Sequence, residues 1–163
     1  MITIRPAERR DEDAIWRIFH AVIAPGDTYV FLPDMGREEA LAFWMASSAH
    51  VYVALDGGDT VGTYFLKPNQ PGRGSHVSNA GFMVAPDAQA RGVGRAMGEH
   101  CLAEARRLGF RAMQFNFVVS TNEPAVALWK KLGFQVIGTA PGAFRHPTLG
   151  FVDTFMMYRS LDA

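Results

Sequence analysis

QARGVGRAMG, residues 89–98, places three glycines and two arginines in a row of ten, between one apolar run and the start of another. Downstream, Val93, Met97, Cys101, Ala105 and Leu108 recur at helical spacing with Arg95, Glu99, Glu104 and Arg106 between them, which predicts an amphipathic helix over 92–108. Arg106 and Arg107 complement the negative end of its dipole, and Gly109 stands where a left-handed cap is wanted. The positive end therefore falls on the glycine turn. Backbone NH groups there lack helical partners and attract anions. Gly92 and Gly94 carry no side chain to hold a phosphate off that backbone.

Around this turn the chain alternates. A strand is predicted over 76–84, another over 112–119 and a helix over 123–132, and a β-α-β-α order implies a parallel pair with helices packed across it. Before it, ITIR reads as a strand ended by Pro6, followed by a helix carrying Ile15, Ile18, Phe19 and Val22 until Pro25 and Gly26. REEALAFWMASS reads as a second helix, with Leu41, Trp44 and Met45 on one face. HVYVALDGGDTVGTYFL is a hairpin around Asp56-Gly57-Gly58-Asp59, and KPNQPGRGS is a loop. FQVIGTA and FVDTFMMYR read as a closing antiparallel pair, joined by a loop containing Pro141, Gly142 and Pro147. The expectation is one α/β (α+β) domain over 1–163: a mixed sheet with about four helices.

Composition narrows the function. The chain has 163 residues, 48% apolar and 20% charged, which excludes a disordered or low-complexity chain. Sixteen basic and sixteen acidic residues leave no net field, so neither nucleic acid nor an anionic membrane is expected as a partner. The lone Cys101 on an apolar stripe reads as a core residue and fits a reducing compartment. No signal segment or membrane span is legible, so a cytoplasmic location is expected. His20, His50, His100 and His146 have no metal spacing, and no metal is expected.

Three readings of the turn compete. The glycines can serve a tight connection beside solvated arginines. Gly92, Gly94 and Gly98 also fit a loose dinucleotide turn; however, Pro86 and polar residues separate them from the strand, and FVVST lacks the acidic residue that holds a ribose. The third is a resemblance. QARGVGRA is similar to the Gln/Arg-x-x-Gly-x-Gly/Ala signature of the GNAT superfamily of acyl-CoA-dependent N-acyltransferases, with Gln89, Gly92 and Gly94 at the signature positions. VAP precedes it, and NEPAVALWKKLGF at 122–134 resembles that superfamily's Asn-x-x-Ala-x-x-Leu-Tyr-x-x-x-Gly-Phe pattern. Two motifs in order cover about residues 76 to 158.

The resemblance implies a mostly antiparallel sheet of about seven strands, with central strands four and five parallel and splayed. It implies acetyl-CoA as co-substrate, its pyrophosphate on Gln89, Ala90, Arg91, Gly92, Val93, Gly94 and Arg95. The end of strand four, Phe82, Met83 and Val84, would meet the arm and the thioester, with a free NH at Met83 or Val84. Asn122 and Trp129 would lie beside the arm. Trp129 stands where many relatives have a tyrosine acid, and strand four lacks the glutamate many use as base. An ordinary amine is neutral about one time in a thousand at pH 7, a deficit of roughly 4 kcal/mol for a base or desolvation to offset. His76 is the titratable group nearby, and it also reads as a solvated histidine.

In MQFNFVV the apolar residues Met113, Phe115, Phe117 and Val119 alternate with Gln114 and Asn116, which places the amides on one face. Asn79 and Asn116 either bond within the core or line the cleft where their strands part. SNAGFMV, FNFVVSTNEPAVALWKKLGF and FVDTFMMYR also resemble the yeast acetyltransferases of L-azetidine-2-carboxylate and related proline analogues. That narrower likeness implies acceptor contacts at Asn79 and Asn116, which with the Val84 NH are the expected catalytic groups; Tyr29, from the loop expected near the acceptor, is a candidate acceptor contact and proton donor. Asn122, before Glu123 and Pro124, also reads as a helix N-cap. The expected function is acetyl transfer to a small amine, an amino acid or proline analogue, in a ternary complex. Acetylation of a protein or peptide, and acyl-CoA sensing without catalysis, stay open. Dimers are common in the superfamily, but no interface is legible.

Overall fold

Gly92 adopts a left-handed φ of +79° and the helix α3, Val93–Arg107, starts directly after it. At the far end Gly109 turns left-handed at φ +86°, so that its NH reaches Arg106 O and the Phe110 NH reaches Ala105 O. These are the two bonds of a glycine-capped helix end. The computed structural model describes residues 1–162; Ala163, the last residue of the expected domain, lies outside the described residues.

The other elements are β1 (Ile2–Pro6), α1 (Glu12–Ile23), α2 (Arg37–Trp44), β2 (His50–Asp56), β3 (Asp59–Pro68), β4 (Val77–Val84), β5 (Ala112–Val119), α4 (Glu123–Lys131), β6 (Gln135–His146) and β7 (Gly150–Ser160). They form a seven-stranded sheet in the order β1-β2-β3-β4-β5-β7-β6. Every neighbouring pair is antiparallel except β4 with β5. That parallel pair is brief. Its register holds only at Val77 with Ala112 and Ser78 with Met113, where the Ser78 hydroxyl also donates to Ala112 O at 2.9 Å. Beyond it the strands part.

Side-chain alternation divides the core between two faces. On one, Tyr64, Phe82 and Phe115 face α3 and α4, with Tyr64 to Phe82 at 5.3 Å and Phe82 to Trp129 of α4 at 4.8 Å. On the other, Thr63 and Phe65 meet α1 and α2 through Trp44, whose Nε1 donates to Thr63 Oγ1 at 3.1 Å. Glycine sets the spacing of the first face. A Cβ on Gly98 would come within 2.6 Å of Leu132 Cδ1 and 3.3 Å of Trp129 Cζ3, so this glycine lets α3 lie close against α4.

Three expectations are corrected. β6 runs through Pro141 and Gly142 instead of ending before them, because a register shift between Ala140 and Phe144 absorbs the proline, and Asp153 Oδ1 accepts the Gly142 NH at 2.9 Å. The second helix ends at Trp44, short of the predicted 48. In β5 the alternation breaks at a register shift between Phe115 and Val118: Val118 turns inward and Phe117 is left exposed. A bulge of this kind re-aims side chains, and here it lies at the opening between the strands.

Candidate active site

The gap between β4 and β5 is a cleft of about 390 Å³ that passes from one face of the sheet to the other. Such a volume suits a small molecule or one arm of a larger one. Its lining is aromatic and uncharged: Tyr29, Phe31, Phe43, Phe65, Phe82, Phe115, Phe117 and Trp129, with Asn79, Asn116 and Asn122 as its amides. The structure thus brings Tyr29, Asn79, Phe82, Asn116, Asn122 and Trp129 to one place.

Main-chain direction on β4 follows from Tyr29. Its hydroxyl donates to Phe82 O at 2.6 Å and accepts from the Phe82 NH at 3.1 Å. Both Phe82 groups therefore point into the gap. Residues alternate along a strand, so Met83 turns its main chain to β3, where it pairs with Thr63, and Val84 faces the gap again. The Ala85 NH, bonded to Val61 O at 2.8 Å, keeps that phase. Of the two positions expected to offer a free NH, Val84 is the one that faces the opening. Met83 is turned away, and its side chain is buried in the core.

At the α3 end the helix has no side-chain cap, and its first turn bond runs from the Ala96 NH to Gly92 O at 3.0 Å. The NH groups of Val93, Gly94 and Arg95 precede that bond, so the helix supplies them no carbonyl. Ala90 also takes a left-handed φ of +62°, and alternating hands of this kind turn successive NH groups to one side. A Cβ on Gly92 would meet nothing within 4 Å, so the approach to these groups is open. Gly94 differs. Its Cβ would contact Leu128 Cδ2 at 3.5 Å and Val84 Cγ2 at 3.8 Å, which aims it at the helix pair instead of at solvent. Val93 offers only its main chain, because its side chain is buried. Gln89 is exposed, and both arginines of the turn have acidic partners: Arg91 with Asp56 at 3.6 Å, Arg95 with Glu99 at 2.9 Å.

On the α1/α2 face a row of amides crosses the gap. Gln114 Nε2 donates to Asn116 Oδ1 at 3.1 Å, and Asn116 Nδ2 donates to Asn69 Oδ1 at 2.7 Å. Asn79 Oδ1 accepts the NH of Ala80 at 2.8 Å. Gly81 opens the same face, because a Cβ there would lie 2.5 Å from Phe65 Cε1. Asn69 and Gly81 were not legible as site residues: one lies in a loop, the other mid-strand, and their spacing shows no pairing.

Asn122 stands at the N-cap position of α4, as expected, and its carbonyl accepts the Val126 NH at 3.1 Å; its side chain makes no cap bond, and the residue also lines the cleft. His76 is exposed before β4 and does not line the cleft. Trp129 is part of the aromatic core, 4.8 Å from both Phe82 and Phe115. Burial raises the Tyr29 hydroxyl well above the ordinary phenol range, against the smaller effect of its bond to Phe82. It also pushes up the Cys101 thiol, which is an inert core group. Among the described residues no cluster of His, Cys, Asp or Glu is placed to hold a metal, and no helix is long and apolar enough to cross a membrane.

Splayed parallel strands and an uncapped glycine turn define a class, and comparison with known proteins gives it a name. Residues 14–134 match the acetyltransferase (GNAT) family. The N-acetyltransferase aca1 of Schizosaccharomyces pombe is 38% identical over 153 residues, covering 82% of this chain and 72% of that protein. A GCN5-related N-acetyltransferase from Kribbella flavida superposes with a TM-score of 0.93 at 45% identity, covering 98% of this chain and 97% of that one. The chain belongs to the GNAT family and is an acetyl-CoA-dependent N-acetyltransferase.

Proposed function

We propose that the protein transfers an acetyl group from acetyl-CoA to the amine of a small molecule, an amino acid or proline-like analogue. The observation that carries this reading is the cleft itself: narrow, aromatic and uncharged, with amides on the acceptor face and an open main-chain cradle at the other end. A basic peptide would need acidic groups at that mouth, and no lining residue carries a charge.

The residues fit the co-substrate. Gln89 to Arg95, with Gly92 left-handed at their centre, hold the pyrophosphate by main-chain NH groups at the positive end of α3. The arm follows the gap past Trp129 and Asn122 toward β4. The Val84 NH donates to the thioester oxygen as negative charge grows there, an effect worth about 3 kcal/mol for one preorganised donor. Asn79 and Asn116 orient the acceptor. With no carboxylate or imidazole in the lining, the amine enters neutral, favoured by the apolar walls, which lower an amine's pKa by desolvation. Its nitrogen bonds to the acetyl carbon as the carbon–sulfur bond breaks; the amine proton leaves to water and the thiolate takes a proton from water. Tyr29 is a poor acid here, since its hydroxyl already donates to Phe82 O and burial raises its pKa.

The test is acetyl-CoA consumption across a panel of amino acids, proline analogues and peptides. Turnover of the small acids above the peptides is expected. Preference for peptides would move the reading to protein acetylation, and thiol release with no acceptor on the panel would sink it.

A further inference from the structure

Lys67 is the charged feature of the acceptor mouth, and the mechanism leaves it unused. It follows Phe65 by two residues on β3, so both side chains lie on the same face, and its register partner on β4 is Asn79. The next pair along, Phe65 with Gly81, is part of the cleft wall. The ammonium stands 5.3 Å from the ring centre of Phe43 and 5.1 Å from that of Phe65, two aromatic residues that line the cleft. Among the described residues it makes no ion pair. Two ring faces thus hold a half-buried cation at the edge of a pocket whose lining has no charge of its own.

Six arginines on this molecule look different. Arg5, Arg37, Arg91, Arg95, Arg107 and Arg111 each have a carboxylate partner. Lys67 has aromatic faces instead, which fix a cation's position without consuming its charge. A lysine at this place is a ready donor to an anion that enters beside Asn79. In an apolar pocket, a charge-assisted bond of that kind is stronger than at an open surface.

Building on the small-amine reading, we propose that Lys67 binds the α-carboxylate of the acceptor and so makes the enzyme selective for amino acids over their carboxylate-free counterparts. The carboxylate sits toward β3, on Lys67 and the Asn79 edge, which turns the acceptor's amine inward toward Asn116 and the gap. Lys67 is a specificity residue and touches no reacting atom. Its loss raises the KM for the acid and leaves kcat nearly alone, because the contact is the same before and during reaction.

The experiment compares L-azetidine-2-carboxylate with its carboxamide, and several amino acids with their amides, in wild type, Lys67→Met and Lys67→Arg. The Met side chain keeps the stem over the rings. Wild type should prefer the acids, and in Lys67→Met the acid-to-amide ratio of kcat/KM should fall about 10- to 100-fold, the loss expected for one hydrogen bond to a charged group. Lys67→Arg should restore most of it. Equal preference for acid and amide in wild type, or a ratio that survives in Lys67→Met, overturns the proposal while leaving acetyl transfer to small amines intact. A wild type that acetylates neither set instead overturns the reading of function. Lys67 is then decided by calorimetry, with L-azetidine-2-carboxylate titrated into protein saturated with coenzyme A. Heat that Lys67→Met abolishes supports carboxylate binding, and no heat in wild type refutes it.

Discussion

The two mouths of the cleft are built from different material. At the α3 end the groups that face outward are main-chain NH groups of one short segment, shaped by Ala90 and Gly92 in left-handed conformations. At the other end they are side chains, Asn69, Asn79, Gln114 and Asn116 among rings of Phe43 and Phe65, gathered from four separate stretches of chain. A main-chain site suits a ligand that every relative shares. A side-chain site can change its ligand by substitution while the sheet stays as it is.

The largest effect that separates the two mouths is expected at Gly92. Gly92→Asp sets a carboxylate into the open space before α3, where it repels a phosphate and strains a left-handed residue at once. Acetyl-CoA affinity should fall more than about 100-fold by calorimetry, since the proposed pyrophosphate site rests on NH groups and a positive dipole. Gly92→Ala adds only the left-handed cost, about 1–2 kcal/mol of stability, and should keep measurable binding. At Gly94 an Ala meets Leu128 and Val84 in ordinary contact and should fold as wild type. Wild-type affinity in Gly92→Asp would place the pyrophosphate elsewhere and end the comparison.

Asn116→Ala acts at the opposite mouth. It removes the link between Gln114 and Asn69 on the acceptor face and leaves the α3 turn as it is. Turnover should drop about 100-fold, as for one positioned donor at a reacting centre, with acetyl-CoA affinity held within a few-fold. A parallel fall in both would show that the two mouths are one site.

This contrast also explains what could be read from the chain before its structure. The elements were legible because glycine, proline and apolar period are local signals: the caps at Gly92 and Gly109 and the hairpin at Asp56 to Asp59 all stand where their residues point. The glycine turn that opens α3 was legible for the same reason. Alternation put Asn116 on one face with Gln114, where the two are bonded, yet the other partner of Asn116, Asn69, was not legible, since nothing in KPNQPGRGS shows which strand its side chain reaches. The alternation itself failed at Phe117, where the bulge in β5 answers to its pairing with β7 and to no residue in MQFNFVV. Asn122 was legible as the residue that opens α4 before Glu123 and Pro124, but the absence of a side-chain cap bond there was not.

A smaller effect is expected where Tyr29 bridges the two regions. Tyr29→Phe deletes the only side-chain bonds to the Phe82 NH and carbonyl, which then face the gap without a protein partner. The loss should be about 1–2 kcal/mol, or roughly 2–6 °C in Tm for a chain of this size. If the melt is unmoved, water takes over both bonds and the tyrosine does not hold the cleft.

The smallest effect lies away from both mouths, and it asks whether charge on the α3 face supports the fold alone. Glu104 binds Arg107 through both oxygens at 2.9 and 2.8 Å and accepts the Tyr52 hydroxyl at 2.7 Å. Arg107 first and Tyr52 second hold its carboxyl down to about 2, below the ordinary 4.5. The folded state therefore favours the ionised form, and its contribution is complete above about pH 4.5 and disappears as pH falls toward about 2. Because Arg107 is largely in solvent, screening reduces that contribution to about 1 kcal/mol. Melts of wild type and Glu104→Gln should differ at pH 7, converge through that window and coincide at its foot, while acetyl transfer at pH 7 stays the same in both. A difference that does not change with pH would mean that Glu104 acts by packing and not by charge. A loss of activity at pH 7 would extend the functional surface beyond the cleft, to a face that the two-mouth contrast treats as scaffold.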